Sequence, residues 1–415
     1  MVTVRPFKGL RPRKELAARV AAPPYDVLSS EEAREMAKNN PYSFLHVNKP
    51  EIDLEPGIDL YDPRVYRKGA ENLKRLIQEG VMVQDQEPRF YVYQQVMGRH
   101  RQVGLVACAS VEEYETGLIK KHEHTRPEKE DDRVRHIDHL NAQVGPVFLT
   151  YRAREEIDRL MEGIVAQEPE YDFTGEDGVR HTLWVVSHPE LIARIQQAFR
   201  RVEALYVADG HHRSAAAMRV KRKRQAENPH HTGEEEYNYF LVVIFPHNQM
   251  QILDYNRVVR DLKGLKPTEF FEKLREKFLV EEQPPGQVYK PNKPHTFGMY
   301  VSGKWYKLTA RPGTFDERDP VQRLDVSILQ ENLLRPILGI QDPRKDKRID
   351  FVGGIRGMQE LQRRVDCGDW AVAFALYPTA IGDLMAIADA GKVMPPKSTW
   401  FEPKLKSGLV VHLLD

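Results

Sequence analysis

The chain has 415 residues, 30% of them charged and 41% hydrophobic, a balance that suits a soluble globular protein of two or three domains. With 62 Lys+Arg against 61 Asp+Glu, it has no polyelectrolyte character, so a general nucleic-acid or membrane-surface role gains no support. Two distant cysteines, Cys108 and Cys367, suit a reducing cytoplasm, and neither a signal core nor a long uncharged apolar run is present, so a cytoplasmic protein is expected.

In chain order, residues 20–27 are irregular, because Pro23 and Pro24 forbid a helix and impose extended backbone. They present Tyr25 and Asp26 on a rigid loop. Ser29 or Ser30 caps a helix to about Asn39, and 42–47 reads as a strand. Residues 63–79 form an amphipathic helix, and 89–96 with 102–109 form a hairpin. The charged segment 126–135 leads into a helix ending near Gln143, followed by a strand at 146–151. A helix at 153–166, a strand at 181–186 and a helix at 189–201 come next. Residues 205–208 read as a buried strand that turns into a helix starting near Ser214.

The basic run 221–224 reads as a solvated helix face. Residues 239–245 form a central strand, with 251–254 as a candidate partner and 256–259 directly after. Further on are a helix at 267–278, a hairpin at 297–308, a helix at 323–338, a strand at 350–354 and a helix at 358–364. A strand at 370–376 and a helix at 379–390 precede the proline-bounded loop 394–404. The alternation indicates an α/β (α+β) fold with a mixed, partly antiparallel sheet. Three regions are expected: 1–115, a core at 116–265 carrying a phosphate site, and 266–415.

The densest chemistry is Asp209-Gly210-His211-His212-Arg213, set between a strand and a helix. Free N–H groups and the positive dipole end of a helix favour an anion such as phosphate. Arg213 adds a planar two-point donor, and Asp209 is placed to hold a metal ion or orient an imidazole. A capping role alone would need only Asp209. A second cluster, Lys120–Thr125, gathers two lysines, two histidines, Glu123 and Thr125. Glu123 there could serve as a general base toward a hydroxyl. Taken alone, this cluster reads as an exposed loop; its position relative to 209–213 gives it weight.

The order of these pieces is the basis of a resemblance. His122-Glu123, a helix at 134–143, the strand 146–151 and Asp209–Arg213 resemble the ParB/sulfiredoxin-like fold, within it most of all the free serine kinases, which phosphorylate free L-serine to O-phosphoserine. Residues 7–12, 22–26, 122–125, 209–213 and 394–404 also resemble a bacterial and archaeal domain-of-unknown-function family, number 1015, over nearly the whole chain. The resemblance implies that Glu123 is the catalytic base and that Asp209 acts with Mg²⁺. Gly210, His211, His212 and Arg213 would hold the donor phosphates.

Lys397, Ser398 and Thr399 would close over the donor or the amino-acid carboxylate, with a packed C-terminal segment as the equal alternative. His122, Thr125, Arg133, Tyr25, Asp26, Asn256 and Arg257 are the candidate substrate-binding residues. The chain has no Walker-type lysine loop, so the donor stays open among pyrophosphate, ATP and ADP, with pyrophosphate favoured. The partners are then a small-molecule substrate, L-serine, and the phosphate donor, with no nucleic acid and no membrane; the oligomeric state is open. The alternatives are a phosphoserine phosphatase or other metal-dependent phosphohydrolase, and a nucleotide-binding ParB-like regulatory protein.

Overall fold

The strands that carry the site come from widely separated stretches of the chain, whose computed structural model describes residues 1–415. In chain order they are β1 (Val4–Arg5), β2 (Phe90–Met97), β3 (His100–Ser110), β4 (Ile119–Lys120), β5 (Val147–Tyr151), β6 (Tyr171–Thr174), β7 (Arg180–Val186), β8 (Leu205–Asp209) and β9 (Tyr239–Pro246). They form a nine-stranded sheet in the order β4-β8-β5-β9-β3-β2-β7-β6, with β1 beside β3. The β4/β8 and β5/β9 pairs are parallel, and the others are antiparallel. This is the mixed α/β arrangement expected from the sequence. The apolar run of β9 is buried from Phe240 through Phe245, as its place between β3 and β5 requires.

Three helices matter for the site: α1 (Pro63–Gln78), α2 (Pro127–Leu140) and α3 (His211–Glu227). α2 and α3 are laced together by charge: Arg219 reaches Asp131 at 2.5 Å, Lys223 meets Asp138 at 2.7 Å, and Arg224 meets Asp138 at 3.4 Å. Lys221 and Arg222 reach Glu115 at 2.9 and 2.8 Å. The run 221–224 is therefore not a merely solvated face; each of its four cations has a carboxylate partner.

The chain divides into two compact units, Met1–Met250 with Pro403–Asp415, and Gln251–Glu402. The three regions drawn from sequence are cut differently, because β2 and β3 from 1–115 share one sheet with β8 and β9 from 116–265. The C-terminal stretch returns to the first unit, where His412–Leu413 pairs with Ala142–Gln143 and Ser407 bridges to Ala22. The second unit has its own antiparallel sheet of β10 (Tyr255–Val259), β11 (Phe278–Glu282), β12 (Thr296–Val301), β13 (Lys304–Ala310), β14 (Ile349–Gly353) and β15 (Val372–Leu376), ordered β11-β13-β12-β15-β10-β14. No helix is long and apolar enough to cross a membrane.

Three local expectations are corrected. Residues 42–47 do not form a strand: Leu45–Asn48 is a helical turn, and Phe44, Leu45 and Val47 enter one buried cluster. Residues 251–254 do not pair with β9, since both of its edges are already taken by β3 and β5; Ile252–Leu253 instead pairs with Trp400–Phe401. The helix expected over 323–338 is α-helical only across Asp325–Leu329 and then widens into a π-helical turn, Gln330–Leu334. There Arg335 N–H donates to the Gln330 carbonyl, five residues back, at 2.9 Å.

Candidate functional site

β4 and β8 are parallel neighbours, with Leu205 opposite Ile119 and Tyr206 opposite Lys120. The residues that follow each strand, 121–126 and 209–213, therefore leave the sheet at the same end. The register of β8 against β5 shifts between Val207 and Asp209, so that Asp209 faces Phe148. A bulge of this kind re-aims a side chain, here Asp209. Gly210 then adopts φ 98° and ψ 32°, a left-handed conformation that glycine enters without steric cost. A Cβ at this position would lie 3.3 Å from the Arg213 guanidinium. Gly210 is the N-cap of α3, whose first turn holds no acidic residue and receives no side-chain cap. Its leading N–H groups and dipole thus point to an anion.

The electrostatics follow from what surrounds each group. Loss of water opposes ionisation of Asp209, and the charges of Lys404 and Arg213 outweigh it, holding the carboxyl well below the usual carboxylate range. Lys404 Nζ lies 3.4 Å from Asp209 Oδ2, and the Lys404 carbonyl is fixed by Gln95 Nε2 at 2.9 Å. Asp209 is an anion throughout the physiological range. His122 and His211 meet edge-on, with Nε2 atoms 3.4 Å apart and ring centroids 4.5 Å apart. Burial lowers His122 to about 4 and takes His211 well below its usual value, so both are neutral near pH 7. Glu123 completes a trio with them, one ligand atom from each lying within 4.8 Å of the others.

The loop 121–126 is docked further by His212, whose Nε2 accepts the Arg126 N–H at 3.2 Å. Thr125 turns its hydroxyl to Glu130. Behind the turn, the Arg133 guanidinium stacks 3.8 Å from the centroid of the Tyr25 ring and bonds Asp132 at 2.7 Å. Burial pushes the Tyr25 hydroxyl up to about 12. Arg213 donates to the Pro146 carbonyl at 2.5 Å. Tyr25, Arg133 and Arg213 line one cavity of about 30 Å³ together with Asn48, His136 and Gln143, room for about two waters. Asp26 is exposed, and its charge acts on His212.

The fold thus brings His122, Glu123, Asp209, Gly210, His211, His212 and Arg213 to one place, with Tyr25 and Arg133 behind Arg213. The remaining candidates belong to the Gln251–Glu402 unit. Asn256 bonds Asp254 at 2.6 Å and accepts the Leu376 N–H at 2.9 Å. Arg257 donates to the carbonyls of Pro396 and Lys397 at 3.3 and 3.0 Å. Ser398 donates to the Pro395 carbonyl at 2.5 Å, and its own carbonyl accepts from Thr379 at 2.8 Å; Thr399, next in the chain, is half-buried. These bonds hold the 395–398 loop in place. Sequence reading did not assign Lys404 or Gln95 to the site, since only the return of the C-terminal stretch brings Lys404 to Asp209.

Mg²⁺ prefers oxygen ligands and is usually bound by one or two carboxylates together with substrate phosphates. Asp209, ionised and beside the helix N-terminus, fits that manner of binding. The His122–Glu123–His211 trio offers two imidazole nitrogens, a donor set suited to zinc, iron or similar cations rather than to magnesium.

A family model described as Protein of unknown function (DUF1015) matches residues 4–327. The chain belongs to that family. No curated protein matches this DUF1015 chain. Among solved structures it is similar to a free serine kinase in complex with AMP, at 13% identity and TM-score 0.33, covering 72% of this chain and 86% of that one. A conserved hypothetical protein from Pyrococcus furiosus matches at 12% identity and TM-score 0.35, over 75% and 95% of the two chains. SbnI with C-terminal truncation from Staphylococcus aureus matches at 11% identity and TM-score 0.39, over 74% and 87%.

Proposed function

We propose that this DUF1015 protein is a small-molecule kinase that transfers a phosphoryl group to the hydroxyl of free L-serine, giving O-phosphoserine. The observation that carries the reading is the convergence of the Glu123 loop and the Asp209–Arg213 turn at one end of the sheet, joined by the 3.4 Å contact of His122 and His211. Phosphoryl transfer asks for positioning and charge neutralisation more than for covalent help, and this arrangement supplies both.

In this reading the N-terminus of α3, with His211, His212 and Arg213, grips the phosphates of the donor: pyrophosphate, ATP or ADP. Glu123 accepts the proton of the serine hydroxyl as the oxygen attacks phosphorus and the bridging P–O bond of the donor breaks, releasing phosphate from pyrophosphate, ADP from ATP or AMP from ADP. Asp209 would hold Mg²⁺, which when bound neutralises charge on the phosphates. Lys404 keeps Asp209 ionised and in position. Tyr25 and Arg133 support Arg213 from behind and set the wall on the substrate side.

The test is an incubation of the protein with Mg²⁺, L-serine and each donor in turn, with products read by mass spectrometry. O-phosphoserine with one donor is the expected result and identifies that donor. Hydrolysis of added O-phosphoserine, with no synthesis from any donor, would replace the kinase by a phosphatase.

A further inference from the structure

The Gln251–Glu402 unit contains a cavity of 570 Å³, within the ~300–1,000 Å³ range of small-ligand pockets. Its wall includes Arg257 on β10, Ser327 and Gln330 around the start of the π-helical turn, and Pro395 and Pro396 of the loop that Arg257 holds. Three features distinguish it from an ordinary surface hollow.

The first is charge. Arg257 is only 4% exposed, and burial lowers it to about 10, so it is still a cation at neutral pH. It makes no ion pair; its guanidinium meets the carbonyls of Tyr255, Pro396 and Lys397 and the face of the Phe351 ring. Arg335 and Arg344, the other arginines of the wall, are each matched by a carboxylate, Glu331 at 2.5 Å and Asp342 at 3.0 Å. The uncompensated charge of the cavity is therefore that of Arg257, and a buried charge without a counter-charge is costly to keep. The second is an orphan donor: Ser327 is 7% exposed, and its hydroxyl has no hydrogen-bond partner. The third is the π-helical turn itself, a backbone form that occurs frequently at functional sites.

We infer that this cavity is a binding site for a small organic anion, whose carboxylate or phosphate group meets the Arg257 guanidinium and accepts the Ser327 hydroxyl. A guanidinium fork matches either group. The site stands on its own observations and survives if the kinase reading fails.

The probes are inorganic phosphate, pyrophosphate and citrate, added separately to the full chain and read by hydrogen–deuterium exchange. Slower exchange in peptides spanning 321–335 with at least one probe is expected, and the probe that acts tells phosphate from carboxylate. The same protection must persist in Arg213→Gln, which removes the guanidinium at the helix N-terminus and so separates this site from anion binding there. It must vanish in Arg257→Gln. Because that change also releases the 396–397 carbonyls, Ser327→Leu is the second variant; it fills the cavity from one wall, and it too abolishes protection while the thermal midpoint holds or rises. Absence of protection with all three probes, or protection undiminished in Ser327→Leu, overturns the assignment.

Discussion

Two arginines, one in each unit, rest their guanidinium groups on backbone carbonyls, yet they sit in opposite electrostatic settings. Arg213 leans on Pro146 and shares its field with the Asp209 carboxylate, which Lys404 also faces. Arg257 leans on Tyr255, Pro396 and Lys397, and no carboxylate answers it. The first setting is a balanced cluster in which cations hold an anion ready, as a transfer site must keep its own charged groups in place before the reactants arrive. The second is an unbalanced one, for which an incoming anion is the natural counter-charge. Arginines of similar local geometry thus imply different tasks, and the neighbouring carboxylate distinguishes them.

The balanced cluster is the easier to break. Glu123→Gln should lower kcat for serine phosphorylation by about 10²–10⁴-fold, the usual worth of a general base, with donor affinity unchanged by equilibrium titration. Asp209→Asn should lower kcat by roughly 10²–10³-fold; measured without Mg²⁺, donor affinity holds or rises, because Lys404 and Arg213 then face the donor without their anion. Loss of metal-free donor binding in step with kcat would instead make Asp209 a packing residue. Arg213→Lys should raise KM for the donor about tenfold, ~1.4 kcal/mol, through loss of the two-point contact.

A smaller effect sharpens the geometry. Gly210→Ala forces a β-carbon into the left-handed region, at a cost of about 1–2 kcal/mol, and presses on the Arg213 guanidinium. A lower thermal midpoint accompanied by weaker donor binding is expected, whereas a lower midpoint with normal binding would separate the turn from the anion site.

The pH dependence has a definite sign. Asp209 is held below its ordinary value, so its contribution to stability is complete above about 3.9 and is lost as pH falls through its lower folded value. Lys404→Met removes the largest charge that opposes the burial cost; the Asp209 carboxyl then rises, and the acid limb of kcat/KM moves to higher pH. Elsewhere in the same unit, His136 is buried, bonds the Val47 carbonyl at 2.9 Å, and is lowered from 6.5 to about 3. The unfolded chain takes up this proton first, so stability falls as pH drops from 6.5 toward 3. His136→Gln should flatten that slope in thermal melts.

The legibility of the two clusters differs for a physical reason. Asp209–Arg213 are consecutive, and a strand–turn–helix transition exposes them together, so local pattern sufficed to find them. Glu123 needed one further step, the parallel pairing of β4 with β8, which a motif order can suggest but a composition cannot. Lys404 is 195 residues from Asp209, and no local signal marks its arrival. Residues 251–254 looked like a partner for β9 because they are adjacent and apolar; occupation of both β9 edges is a tertiary fact. The break of the 323–338 helix is likewise set by bonds across the fold, with Gln330 held to the Ile340 carbonyl at 2.8 Å and Asn332 to the Thr314 carbonyl at 3.2 Å.

The central claim is that the 121–126 loop and the 209–213 turn act as one site. A double-mutant cycle tests it most directly: kcat for serine phosphorylation in Glu123→Gln, Asp209→Asn and the double variant. Residues that act as a unit are strongly non-additive, so the double variant should be about as slow as the worse single one. A double variant slowed by the product of the two single effects would contradict the account.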